Sequence, residues 1–235
     1  MLAERLNHTL QSLENAAMEA RRPVPRLLAV SKTKSATEVA TLARAGQRLF
    51  GENYVQEAHG KIGELAGLGL EWHLIGHLQS NKAEPAATLF DWVQTVDRAK
   101  LIAPLARYRP HGREPLNVLI QVNIDDEASK HGCAPDDVPR LADEVLAQPR
   151  LRLRGLMAIP APHPRLEDRR IAYRRMKSLF DSLAAGHAQV DTLSMGMSDD
   201  YAMAIAEGAT MVRIGSALFG ARASKASQTF EDTHG

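Results

Sequence analysis

The sequence predicts a single α/β domain, a (β/α)8 barrel of the TIM-barrel class, on three observations. Short β-rich runs alternate with helical stretches eight times along the chain. Runs such as Leu116 to Val122 lack clean apolar–polar alternation, as expected of parallel strands covered on both faces. The repeats fill about 210 residues, which suits a closed eight-stranded barrel better than an open doubly wound sheet of five or six strands.

Taken in order, Leu2, Leu6, Leu10, Leu13 and Ala17 recur at spacings of three and four, the stripe of an amphipathic helix, and Pro23 and Pro25 end it. This helix is extra to the barrel and is expected outside it or across one end. The strands are placed at Arg26–Val30, Arg48–Gly51, Trp72–Ile75, Trp92–Thr95, Asn117–Val122, Leu153–Ala158, Thr192–Met195 and Met211–Ile214. Each precedes a stretch rich in Ala, Leu, Glu and Arg, the better helix formers. The domain is therefore expected as an N-terminal helix over 1–22, a barrel over 26–222 and a tail over 223–235. The Pro160 to Pro164 segment reads as a surface excursion, not a boundary.

Composition narrows the function classes. The 235 residues carry 29 Lys+Arg against 28 Asp+Glu, 44% hydrophobic and 24% charged, an ordinary globular balance. A formal charge of +1 offers no global basic field for nucleic acid or an anionic bilayer. No apolar run approaches the ~20 residues a membrane span needs. Met1 to Arg21 has charges throughout and no apolar h-region, and Cys133, the one cysteine, has no intrachain partner. The expected setting is the cytoplasm.

In such a barrel, functional side chains gather at the carboxyl ends of the strands. The first strand ends Leu28-Ala29-Val30-Ser31-Lys32, and alternation puts Leu28, Val30 and Lys32 on one face. If that face is the interior, Lys32 points into the mouth, where a desolvated amine of lowered pKa attacks carbonyls to form a Schiff base. The plain alternative is a solvated strand-end lysine. The seventh and eighth strands lead into Gly196-Met197-Ser198 and Gly215-Ser216, turns before helices whose N–H groups and hydroxyls suit a phosphate. Plain helix caps are the competing reading, with Asp199 and Asp200 complementing the helix dipole. Beside a dianion both aspartates should point away. Arg213 shares a face with Met211 and Gly215, near the mouth. A guanidinium donates and cannot accept, so it would leave a facing pyridine nitrogen unprotonated and a poor electron sink. A salt bridge to a neighbouring strand is its alternative.

Other constellations fail. His73 and His77 lie on a strand, where a spacing of four residues means ~13 Å, too far to share a metal. Cys133 beside His131 in a turn is too little for a nucleophile. No G-x-S-x-G, P-loop or G-x-G-x-x-G pattern is present.

The segments Leu28–Lys34, Phe50-Gly51-Glu52-Asn53-Tyr54-Val55-Gln56-Glu57, Trp72–Lys82, Gly155–Pro160 and Leu193–Asp200 together resemble the pyridoxal phosphate homeostasis proteins, also called proline synthetase co-transcribed proteins. The likeness runs from about Arg26 to Arg222 and departs at His77, where many members carry proline. It implies a barrel like the alanine racemase N-terminal domain that binds pyridoxal 5′-phosphate (PLP), with Lys32 holding it as an internal aldimine, Arg213 facing the ring nitrogen, Ser198, Gly215 and Ser216 holding the phosphate, and Asn53 near the ring substituents. Lys34, two residues farther out and expected to be more exposed, is the competitor for the aldehyde.

The resemblance further implies vitamin B6 homeostasis without turnover. Racemases of this fold use a second base from an added β domain and a partner subunit, and only Ala217 to Gly235 follow the eighth strand here. A monomer is expected, with PLP and PLP-dependent apo-enzymes as partners. The alternatives are a PLP-dependent racemase or lyase, with Tyr54 or His77 as base, and a barrel for another phosphorylated metabolite with Lys32 as counter-ion.

Overall fold

Eight parallel strands close on themselves in strict chain order in the computed structural model, which describes residues 1–127, 130–161 and 165–220. They are β1 (Arg26–Val30), β2 (Leu49–Glu52), β3 (Glu71–Leu74), β4 (Trp92–Val96), β5 (Leu116–Gln121), β6 (Leu151–Met157), β7 (Thr192–Ser194) and β8 (Met211–Ile214). All eight fall where the sequence places them, with ends shifted by a residue or two. β8 returns to β1 with Leu28 opposite Arg213, which closes the ring. The expected tail over 223–235 lies outside the described residues.

The helices are α1 (Leu2–Ala20), α2 (Ala36–Arg44), α3 (Val55–Glu64), α4 (Ala83–Leu89), α5 (Ile102–Tyr108), α6 (Val138–Leu146), α7 (Leu166–Gly186), α8 (Tyr201–Ala206) and α9 (Ser216–Phe219). The N-terminal helix packs outside the ring, on α2, α8 and α9. It buries Leu6, Thr9, Leu13 and Ala17, while Leu10 of the expected stripe is exposed and Thr9 takes its place. The reason is helical phase: 3.6 residues per turn carries a stripe of uneven spacing off the buried line. Helix α2 starts sharply because Ser35 and Glu38 form a reciprocal capping box. No described helix is long and apolar enough to cross a membrane.

Among the described residues, two hydrophobic cores hold the fold. The larger fills the layer between strands and helices. A smaller one of Trp92, Leu119 and Met157 plugs the inside of the barrel. His73 stacks on Trp92 at 5.1 Å, and the Arg26 and Arg154 guanidinium groups lie over the same ring at 5.4 and 4.8 Å. Above this plug the interior turns polar, and the site begins there.

Candidate functional site

A chain of hydrogen bonds rises through the barrel interior toward the mouth. Gln94 Nε2 donates to His73 Nδ1 at 2.9 Å, so His73 carries its proton on Nε2 and donates it to Glu71 Oε1 at 2.8 Å. Burial pushes the His73 pKa down and favours this neutral ring. Ser194 Oγ donates to Gln94 Oε1 at 2.7 Å, and Arg213 Nη1 donates to Ser194 Oγ at 2.8 Å. Arg213 Nη2 donates to the Ala158 carbonyl at 2.7 Å.

Arg213 is therefore held by a hydroxyl and a carbonyl, not by the carboxylate that the plain reading supplied. It is 3% exposed, and burial lowers its pKa to about 10, which leaves it a cation at neutral pH. The group is a fixed positive donor under the mouth.

A cavity of about 270 Å³ opens above it, lined by Lys32, Ser198, Arg213, Gly215 and Ser216 among others. Five of the six residues expected at a cofactor meet in this one space. Asn53, the sixth, sits half-buried on the turn after β2 and is not among the lining residues. Its backbone packs on Gly76, where a Cβ would run into the Asn53 carbonyl.

Lys32 lies two residues past the end of β1, so strand alternation has stopped before it. What places it is the backbone around it. Thr33 adopts a left-handed φ of 65°, a conformation costly for a β-branched residue unless its neighbours impose it. Here Glu57 Oε1 accepts the Thr33 N–H at 2.6 Å. Lys61 Nζ donates to the same Glu57 oxygen at 2.6 Å, to Glu52 Oε1 at 2.9 Å and to the Ser31 carbonyl at 2.7 Å. Ser31 Oγ also donates to Glu52 Oε1, at 2.6 Å. Both neighbours of Lys32 are thus tied to one ionic cluster, in which Lys61 is 7% and Glu52 0% exposed. Burial raises the Glu52 pKa, against the lowering by Lys61 and Ser31.

Lys34 lines the same cavity and is not the outward lysine that the sequence suggests. Its side chain is 18% exposed, 3.9 Å from Glu38 and over the Phe219 ring at 5.7 Å. The turn at Thr33 bends it back toward the mouth.

At the other end, Ser216 Oγ donates to Ser198 Oγ at 3.1 Å, bringing the hydroxyls of the β7 and β8 loops together. Gly215 lies against β1, where a Cβ would come 3.3 Å from Val30. Gly196 has φ 91° and no room for a Cβ, which would sit 2.5 Å from Ala204. Ser198 is not a helix cap, because α8 begins three residues later with Asp200 at its N-cap position. Asp200 turns away as expected: it accepts from Met197 N at 2.7 Å and pairs with Arg169 at 3.4 Å. Asp199 does not turn away, and lines the cavity from an exposed position. The loop closes tightly through Met197 and Asp200, which leaves Asp199 on the cavity side.

Sequence reasoning missed the supporting residues Glu57, Lys61, Gln94 and Ser194. A signal existed for one pair: Glu57 and Lys61 are four apart on a helix, glutamate first. Nothing local marks the Gln94–Ser194 contact across the barrel.

A family model described as alanine racemase, N-terminal domain, matches residues 3–223. The pyridoxal phosphate homeostasis protein of Pseudomonas aeruginosa is 53% identical over 223 residues, covering 94% of this chain and 96% of that protein. The protein of the same name from Escherichia coli K12 is 54% identical over 199 residues, covering 83% and 85%. Among solved structures, PipY of Synechococcus elongatus PCC7942 without PLP superposes with a TM-score of 0.83 at 36% identity, over 94% of this chain and 100% of that one. PipY with PLP bound gives 0.77 at 37% identity over the same shares. Alanine racemase from Corynebacterium glutamicum shares the fold, with a TM-score of 0.66 at 18% identity over 96% of this chain and 64% of that one.

Proposed function

Because the chain belongs to the alanine racemase N-terminal-domain family and, within it, to the pyridoxal phosphate homeostasis proteins, we propose that it binds PLP at the barrel mouth and serves the balance of this vitamin B6 form rather than turning over amino acids. The observation that carries this is the cavity itself, with a lysine at one end, a pair of serine hydroxyls at the other and a buried arginine beneath.

The donor set fits the ligand. PLP supplies an aldehyde to an amine and a ring that can take up electrons. Lys32 Nζ is the amine, its backbone held from both sides by Glu57 and Lys61. The Ser198 and Ser216 hydroxyls, 3.1 Å apart, would hold the phosphate. Arg213 is a permanent donor, and facing the ring nitrogen it would leave that nitrogen unprotonated and weaken electron withdrawal. That weakness supports storage over catalysis. Asn53 would reach the ring from the β2 turn.

A single PLP-binding domain, monomeric and cytoplasmic, with PLP-dependent apo-enzymes as recipients, completes the reading. The test is borohydride treatment of PLP-loaded protein followed by peptide mass mapping. The pyridoxyl group is expected on Lys32, and Lys32→Ala should abolish the visible absorbance while leaving the far-UV circular dichroism unchanged. A group mapped to Lys34, or absorbance that survives Lys32→Ala, overturns the assignment. Amino-acid turnover that depends on Lys32 would replace storage with catalysis.

A further inference from the structure

Across the mouth from the PLP cavity, the ends of three consecutive strands carry a cluster that the proposed function does not use. His77 follows β3, Asp97 follows β4, and His131 lies in the segment between β5 and α6. His77 Nδ1 lies 3.6 Å from Asp97 Oδ2, and the two imidazoles stack with centroids 3.8 Å apart. One ligand atom from each of the three residues falls within 4.8 Å of the others.

The carboxylate is already oriented. Arg98 Nη1 donates to Asp97 Oδ1 at 2.6 Å, and Arg98 is anchored by a second bond from Nη2 to the Leu78 carbonyl at 2.8 Å. This occupies one oxygen and leaves Oδ2 on the histidine side, the outer-shell support that ligating carboxylates ordinarily have. The Asp97 side chain is 9% exposed, whereas both histidines are near the surface.

We propose that His77, Asp97 and His131 form a divalent-metal site of two imidazoles and one carboxylate, suited to Zn²⁺ or Ni²⁺ with open positions for water. The donor atoms already lie within 4.8 Å of one another, with His77 Nδ1 and Asp97 Oδ2 at 3.6 Å, against the roughly 3.3 Å that separates ligands around a tetrahedral ion, so binding requires the stacked rings to turn toward a shared point. Cys133, two residues from His131, is buried and is not among the donors that converge there.

Isothermal titration of the tag-free, full-length protein as purified, with zinc chloride and separately nickel chloride, tests this. One equivalent is expected to bind with micromolar affinity. His77→Gln and His131→Ala should each weaken binding about tenfold or more, Asp97→Asn about tenfold, and the double histidine variant should abolish it. Both histidines are peripheral, so these variants keep the fold, checked by an unchanged melting temperature without metal. No saturable heat up to millimolar metal, or binding that persists in the double variant, overturns the proposal.

Discussion

At the β1 end of the cavity, the backbone on either side of Lys32 is tied to a buried cluster of two carboxylates and an ammonium. At the β7 and β8 end, two hydroxyls near the surface meet each other across 3.1 Å. The difference is between position and affinity. A charge buried at the first end fixes where an amine stands and is coupled to folding. A hydroxyl at the second end is coupled to whatever it binds and hardly to folding. Substitutions at the two ends should therefore separate into different observables.

The largest effect is expected from Lys61→Met. Removing the ammonium leaves Glu52 buried without its ion partner, and breaking a buried pair on one side costs about 3–5 kcal/mol. The Glu52 carboxyl, already raised by burial, would escape by taking up a proton. A group whose folded pKa is raised favours the fold at low pH and loses that contribution as pH rises through the folded value. The penalty of Lys61→Met measured by urea denaturation should thus be smaller at pH 5 than at pH 8. A penalty that is flat with pH would mean that Glu52 is not the group left stranded. With the Ser31 carbonyl released and Glu57, which holds the Thr33 N–H, left without its ammonium partner, the rate at which PLP absorbance develops should also fall.

At the other end, the double variant Ser198→Ala/Ser216→Ala should leave the melting temperature within a degree or two and weaken PLP binding by about a hundredfold or more. Hydrogen bonds to a charged partner contribute about 1.5–3 kcal/mol. Pyridoxal, which has no phosphate, should bind wild type and variant alike. Equal losses for PLP and pyridoxal would show that the serines act on the shape of the cavity and not on the phosphate, and the contrast between the two ends would fall.

Legibility in the sequence follows the same division. The eight strands could be read because each local run carries its own β-rich pattern, and the Gly-Ser turns because their residues are adjacent. Lys32 was found by an alternation argument whose premise fails, since the chain leaves the strand at Val30. It reaches the cavity through Thr33 and Glu57, a contact 24 residues apart in sequence. The Gln94–Ser194 bond joins residues 100 apart, and no local pattern encodes it. The orientation of Asp199 is hidden for a different reason: the turn that aims it is closed by the Met197 N–H donating to the Asp200 carboxylate, and two adjacent aspartates give no local sign of which one closes the turn.

The smallest effect is expected at the far end of the polar chain, below Arg213, and it tests whether that chain matters to stability alone. Burial by itself would raise the Glu71 pKa, but the hydrogen bond from His73 and the Arg26 guanidinium outweigh it and hold the carboxyl at about 2. A carboxylate with a depressed folded pKa stabilises above its ordinary value, so this contribution is complete above pH 4.5 and is lost as pH falls toward 2. A shift of this size corresponds to about 3 kcal/mol at most, and with a third of the side chain exposed we expect about 1–2 kcal/mol. Glu71→Gln should accordingly be less stable than wild type at pH 7, with the two denaturation curves converging below pH 4.5. The separate loss that begins near pH 6.5 as the buried, neutral His73 is forced to charge should persist in the variant. PLP affinity should be unchanged, because Ser194 and the Ala158 carbonyl still hold Arg213. A parallel loss of affinity would mean that the chain from Glu71 to Arg213 moves as one unit, and that the site reaches through the whole barrel instead of ending at its mouth.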